Sequence, residues 1–224
     1  MSESLHFAEH TLQEIALVVM AVVYTTRIFW LLSFKAGKER QQATGALSTT
    51  KRKGIIYSWA NIAMPTAMES TRTNMLIYVQ FVIFHTAVTL AIVQSFLIPY
   101  FPELMPELGL DKVFQILIGL GFLVGLIRMV RRFSSKVMRA ISTPDDIFSL
   151  LLITVWFLFA ALAAPHNIEE SEFIPMAYFW LTAFFLIYVP FSKISHYLYY
   201  PFTRYYLGKT MGHRGGYPLR GTSK

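Results

Sequence analysis

Two of the six histidines in this sequence stand within long apolar segments, where an ionisable side chain is costly unless it is paired or ligates something. They are His85 and His196, and each lies in a different segment. Two neutral imidazoles on facing helices can ligate the iron of a six-coordinate haem. A histidine in such a segment can also form an ordinary hydrogen bond to a neighbouring helix. The histidines alone leave both interpretations open.

The absence of cysteine narrows the chemistry further. A chain without cysteine cannot hold an iron–sulfur cluster, a c-type haem thioether, a thiolate zinc site or a disulfide. Any redox cofactor must therefore be ligated by histidine or methionine. Two cations, Lys193 and Arg72, are placed to pair with haem propionates, although Lys193 could equally reach towards lipid headgroups.

Five apolar segments would position these residues. Hydrophobic residues make up 54% of the chain and charged residues only 15%, which is too apolar for a soluble domain of this length. The segments approach the roughly 20 residues that a helix needs to cross a bilayer. The predicted helices lie at about 12–34, 76–99, 113–130, 147–164 and 175–199. We therefore predict an all-α integral membrane protein, a bundle of five transmembrane helices.

The basic residues predict the orientation of this bundle. All but two of the 20 lie in three segments, 35–74, 128–139 and 193–224, whereas the opposite loops are mainly acidic. By the positive-inside rule, the amino terminus is outside and the carboxyl terminus is cytoplasmic. Charge arranged in this way encodes topology and does not indicate nucleic-acid binding. We predict a five-helix domain over 1–207 and a basic cytoplasmic tail over 208–224.

Both histidines of the pair are predicted on the cytoplasmic side of the bilayer. Helix two enters near residue 76, which places His85 about 14 Å along it. Helix five enters from the other side near Pro175, which places His196 about 31 Å along it. Pro190 can kink helix five, so that the two imidazoles can face each other across the bundle.

Two further segments lie outside the predicted spans. Residues 55–64 form an apolar stretch too short to cross a bilayer, which we expect to lie along the inner interface or to pack on a partner. The chain after Leu207 is basic and glycine-rich, and it lacks periodicity. This predicts an arm without regular structure of its own that binds a cytoplasmic subunit or anionic lipid.

Three stretches of the chain carry a family resemblance. They are PFSKISHYLYYPF at 190–202, STPDDIFSLLLI at 142–153 and FVIFHTAVTL at 81–90. Together with five helices, they resemble the gamma subunit of respiratory nitrate reductase and the related membrane b-type cytochromes of sulfate-reducer redox complexes. The resemblance covers residues from about 76 to 207.

This resemblance implies which residues would bind haem. It implies that His85 and His196 ligate the haem b nearer the cytoplasm. The nitrate reductase branch has a second, outer haem, whose ligand positions correspond here to Ser95 and Tyr178, and neither side chain suits haem iron. We therefore expect one haem b, with His166 as the candidate ligand of a second.

The resemblance also implies a function. It implies an electron-transfer subunit of an oxidoreductase complex in the bacterial inner membrane, rather than a stand-alone enzyme. Such a subunit passes electrons between a periplasmic multihaem cytochrome c or quinol and a cytoplasmic iron–sulfur subunit, beside other membrane subunits. The single histidine pair favours the branch of the high-molecular-weight cytochrome c complex. The rival hypothesis is a non-redox helical scaffold or small transporter with structural histidines.

Overall fold

The computed structural model describes residues 2–34, 50–65, 69–165 and 171–213, and no strand occurs among them. The helices, in chain order, are α1 (Glu3–Ser33), α2 (Lys51–Ala60), α3 (Glu69–Thr73), α4 (Met75–Tyr100), α5 (Leu104–Glu107), α6 (Leu110–Ser134), α7 (Lys136–Ile141), α8 (Pro144–Ala163), α9 (Phe173–Tyr188) and α10 (His196–His213). Short 3₁₀ turns extend α2 over Asn61–Ala63 and α9 over Val189–Phe191.

Five of these helices are long and apolar enough to cross a bilayer. They are α1, α4, α6, α8 and α9, the last counted through Phe191. This confirms the predicted all-α membrane fold with five spans. The first helix is longer than predicted, because it begins at Glu3 rather than near residue 12 and includes a π-helical stretch, Ala8–Leu12.

The fifth span ends earlier than the sequence suggested. The prediction of one helix over 175–199 is wrong, because the span stops at Phe191 and α10 begins at His196. Pro190 has no N–H to donate to the preceding turn, and Ser192 adopts an extended conformation. The next amides bond elsewhere, since Lys193 donates its backbone N–H to Asp145 at 3.1 Å.

Contacts divide the chain into two compact units. The first consists of Met1–Arg27 and Val79–Ile194, and the second of Ile28–Tyr78 and Ser195–Lys224. The first unit contains most of the apolar core, around the fully buried side chains Trp156, Phe157, Tyr178 and Phe179.

Glycines set the helix spacing within the first unit. A Cβ atom at Gly121 of α6 would lie 2.2 Å from the Cβ of Ala87 in α4, and one at Gly125 would lie 2.6 Å from Thr154 Oγ1 in α8. Small residues allow such close approach, which is how membrane helices gain packing energy without a hydrophobic driving force. The helices α4, α6 and α8 therefore approach one another closely at these two glycines.

A layer of buried hydrogen bonds connects the spans of the first unit. Its side-chain donors and their acceptors are Gln13 Nε2 to Ser95 O (3.0 Å), Gln94 Nε2 to Ala160 O (2.8 Å), Tyr178 OH to Ala91 O (2.5 Å) and Trp156 Nε1 to Thr182 Oγ1 (2.8 Å). Each such bond between membrane helices contributes about 1 kcal/mol. Together they hold α1, α4, α8 and α9 in register.

The start of α1 is tied to the start of α9 in the same unit. The backbone N–H of Ser2 donates to a carboxylate oxygen of Glu172 at 2.7 Å. Hydrogen bonding from Ser2 lowers the pKa of the Glu172 carboxyl below its ordinary value. The first residues of α1 thus have a defined place beside the fifth span.

The second unit is built around α2 and α10. A Cβ atom at Gly54 would lie 2.3 Å from the carbonyl oxygen of Gly208 and 2.6 Å from the Cα of Gly212. Near the other end of the pair, Trp59 Nε1 donates to the Pro201 carbonyl at 3.0 Å. The two helices are therefore antiparallel and nearly in backbone contact.

This pairing changes the interpretation of two sequence segments. The apolar stretch at 55–64 lies mostly in α2, and the partner on which it packs is another helix of the same chain. The expectation of an arm without regular structure after Leu207 is wrong for residues 208–213, which are helical. Gly208 and Gly212 have low helix propensity, but their lack of a side chain allows α2 to approach α10 closely. Residues 214–224 lie outside the described part of the chain.

Candidate functional site

The imidazole of His85 is held in one tautomer by its own helix. Its Nδ1 lies 2.8 Å from the carbonyl oxygen of Phe81, one turn earlier in α4. A carbonyl can only accept, so Nδ1 carries a proton, and in the neutral ring the lone pair is on Nε2. This is the arrangement that orients metal-ligating histidines in proteins, where the remote nitrogen donates to a carbonyl and the other nitrogen binds metal.

Aromatic rings fix the plane of this imidazole. The ring centroid of Phe81 lies 4.1 Å from that of His85, and the ring centroid of Phe84 lies at 6.1 Å. The ring of Phe84 is buried, whereas His85 is exposed, so His85 marks the edge of the packed face of α4. An exposed imidazole with a fixed tautomer fits an axial ligand of a group that binds beside α4.

His196 is the first residue of α10 and is also exposed. It belongs to the second unit, whereas His85 belongs to the first. The pairing of the two imidazoles on one iron stays a prediction.

Lys193 is engaged by the start of α8. Its Nζ lies 3.0 Å from both carboxylate oxygens of Asp146 and 3.0 Å from Thr143 Oγ1. Asp146 also caps α8, because its carboxylate accepts the backbone N–H of Thr143 while Thr143 caps the Asp146 amide. Lys193 therefore anchors the turn before His196, and its predicted contact with a propionate is not tested.

A second carboxylate completes this anchor. Asp145 accepts hydrogen bonds from the Tyr188 hydroxyl near the end of α9 and from the backbone of Lys193. Two of the sequence stretches that carry the family resemblance, 142–153 and 190–202, are thus in direct contact through Lys193 and these two aspartates. Their charged and capping residues fix the exit of the fifth span against the entrance of the fourth.

The contacts of Asp146 with Thr143 and Lys193 should contribute measurably to the free energy of unfolding. We expect Asp146→Ala to cost about 1–2 kcal/mol, because it removes a helix cap and a partly exposed ion pair. Asp146→Asn should cost less, since an amide oxygen still caps the helix. Chemical unfolding in detergent micelles measures both, with the exposed Glu107→Ala as a control. Equal stability of the Asp146→Ala and Glu107→Ala proteins would contradict this role.

The other predicted site residues lie elsewhere or outside the described range. Arg72 is exposed in the short helix α3 of the second unit. His166 lies outside the described residues. Tyr178 and Ser95, which the resemblance aligns with outer haem ligands, have partners within the chain, since Tyr178 donates to the Ala91 carbonyl and Ser95 accepts from Gln13.

The comparisons with known proteins place the chain in no family. No protein-family model, no curated protein and no solved structure matches it. Among the described residues, no group of three or more histidines, aspartates and glutamates could hold a metal ion.

One charged residue beside Phe84, the chain neighbour of His85, was used in the sequence analysis only to predict the orientation of the helices. The guanidinium carbon of Arg128, in α6, lies 4.9 Å from the ring centroid of Phe84. Six residues of α6 follow Arg128, so Arg128 lies within the apolar helix rather than at its end. This position in the sequence could have indicated that Arg128 is more than a charge flanking the span.

Proposed function

We propose that this chain is a haem b-binding membrane subunit of a respiratory redox complex, with His85 and His196 as axial ligands. The observation that carries the proposal is the tautomer of His85. Because Nδ1 donates to the Phe81 carbonyl, the neutral ring has its lone pair on Nε2, the nitrogen that ligates metal in histidines of this kind. The sequence is compatible with a histidine-ligated group, because it has no cysteine to hold an iron–sulfur cluster or a c-type haem instead.

The residues around the histidines have defined roles in this proposal. Bound haem supplies one-electron transfer. Phe81 orients the His85 ring through its carbonyl and its own ring. Asp146 and Lys193 fix the turn that leads into His196, three residues after Lys193. The apolar spans would keep water away from the bound group.

A single haem requires partners on both sides of the membrane. We infer a cytoplasmic iron–sulfur subunit at one side and a periplasmic multihaem cytochrome c or quinol at the other, with further membrane subunits alongside. The family resemblance at residues 81–90, 142–153 and 190–202 supports this assignment. It favours a place in the bacterial inner membrane.

The purified protein provides the direct test. A reduced-minus-oxidised absorption spectrum should show a b-type band, with a haem-to-protein ratio near one. A ratio near two would mean that another ligand exists, with His166 the first to be replaced. A colourless protein, expressed with its haem supply intact and purified in mild detergent, would contradict the proposal.

The proposal includes an orientation, which a fusion can test. The charge distribution supports an outer amino terminus and a cytoplasmic carboxyl terminus. An alkaline phosphatase fused after Lys224 should be inactive, and a fluorescent protein that folds only in the cytoplasm should be bright. The opposite pair of signals would contradict the orientation.

A non-redox scaffold is the second candidate, and the same His85 hydrogen bond is compatible with it. The only proton donor of the neutral His85 ring is satisfied within α4 itself, so the residue can be stable without iron. The scaffold predicts the same five spans and no chromophore. The absorption spectrum therefore separates the two candidates.

A further inference from the structure

Arg128 is a cation in the apolar layer of the first unit. It is partly buried in α6, with its guanidinium above the buried ring of Phe84. Phe84 in turn packs edge-on against Phe157 of α8 at 5.2 Å. A charged side chain within a transmembrane helix is costly, and such residues usually serve a ligand or a partner charge.

The side chain of Arg128 reaches towards the middle of its helix rather than out of it. Gly121 contacts Ala87, so these two residues mark the same level of α6 and α4. Arg128 begins about 10 Å beyond that level, whereas Phe84 lies only about 4.5 Å beyond it, at the 1.5 Å rise per residue. The two Cα atoms thus differ in level by roughly 6 Å, and the side chains of Arg128 and Phe84 close this gap by leaning towards each other, each towards the N-terminus of its own helix.

Neighbouring arginines of the same helix behave differently. Arg132 donates to Ser142 Oγ at 2.8 Å and approaches Asp146 at 3.9 Å, and Arg131 is exposed. Within the described part of the chain, no carboxylate forms an ion pair with Arg128. The face of an aromatic ring offsets only part of the cost of this charge.

We propose that Arg128 binds an oxyanion, a carboxylate or a phosphate, beside His85. The guanidinium has a planar fork of donors that matches both groups. Phe84 contacts Arg128 on one side and is followed by His85, at 6.1 Å between rings. The anion therefore lies within the span of one haem from the His85 imidazole.

Two sources can supply this anion. One is a propionate of a haem ligated by His85, and this occupant rests on the proposed function. The other is the phosphate of an anionic lipid, which does not depend on haem. The chemistry at Arg128 is the same for both, and the measurements below separate them.

The test compares Arg128→Gln with Arg131→Gln, which removes an exposed charge from the same helix. Each protein is purified in bicelles of phosphatidylcholine, with or without phosphatidylglycerol. For a propionate, Arg128→Gln should lower the haem midpoint potential and weaken haem retention roughly tenfold, the factor for one lost charge-assisted hydrogen bond. For a lipid phosphate, the haem spectrum should stay unchanged, and native mass spectrometry should show loss of a bound phosphatidylglycerol.

The outcomes are decisive in each case. If Arg128→Gln equals Arg131→Gln in haem retention, midpoint potential and lipid binding, the proposal is overturned. If the wild-type protein proves colourless, the proposed function fails, yet the lipid measurement still tests Arg128 by itself. Should Arg128→Gln fail to insert, Arg128→Lys keeps the charge without the fork and should give a smaller loss. An Arg128→Lys protein identical to wild type in all three measurements would also overturn the proposal.

Discussion

Replacing either His85 or His196 with alanine should abolish the low-spin haem b spectrum while leaving the protein in the membrane. Loss of one axial ligand leaves five-coordinate haem or none, because the chain has no cysteine to substitute for it. The expected effect on haem content is nearly complete. Absorption spectra of detergent-purified variants, normalised to protein, measure it.

The reason that insertion should survive lies in the surroundings of His85. Its side chain is exposed, and its donor bonds within α4, so its removal opens no buried cavity in the first unit. Loss of a packing hydrogen bond in a membrane protein costs only about 1 kcal/mol. Structural histidines would therefore cost a little stability and leave any chromophore unchanged.

A third histidine provides the matched control for this experiment. His10 lies in α1 and contacts His6 and Tyr100 through its ring. His10→Ala should retain the full haem spectrum, because His10 has no place in the proposed ligand pair. A His196→Ala protein with the same low-spin spectrum as His10→Ala would rule out the ligand assignment.

The five spans could be predicted from the sequence because each depends on local composition alone. An apolar run of about 20 residues has few alternatives to a transmembrane helix. The end of the fifth span could not be predicted in the same way, because it depends on a contact between residues far apart in the sequence. The carboxylate of Asp145 accepts a hydrogen bond from the backbone N–H of Lys193, and these residues are 48 positions apart.

The candidate site shows the same division between local and distant information. His85 is prominent in the sequence, since it is a titratable residue in an apolar run. The anchoring of Lys193 by Asp146 and the position of Arg128 over Phe84 depend on which helices are neighbours. From the sequence alone, Arg128 was counted as one of the basic residues that flank a span, because it lies near the end of an apolar run. Only the direction of its side chain distinguishes it from a flanking cation.

The α2–α10 pair was also hidden in the sequence, for a different reason. Glycine lowers helix propensity by about 1 kcal/mol relative to alanine, so Gly208 and Gly212 argue against a helix when read locally. In the second unit they remove the side chains that would hold α2 away. Their spacing of four residues places both on one face, as in the small-residue pattern of membrane helix pairs.

Gly54→Ala should separate α2 from α10, although the change adds only one methyl group. The new Cβ would lie 2.3 Å from the Gly208 carbonyl oxygen and 2.6 Å from the Gly212 Cα, and both are backbone atoms that no side-chain rotation can move. Overpacking of this kind costs about 1–3 kcal/mol, which should loosen the packing of the two helices. Amide hydrogen exchange over Lys51–Ala60 and His196–His213 should therefore accelerate in both helices at once. Gly119→Ala is the control, because nothing lies within 4 Å of its added Cβ and α6 should keep its protection. Unchanged exchange in α2 and α10 of the Gly54→Ala protein would show that the two helices do not pack through these glycines.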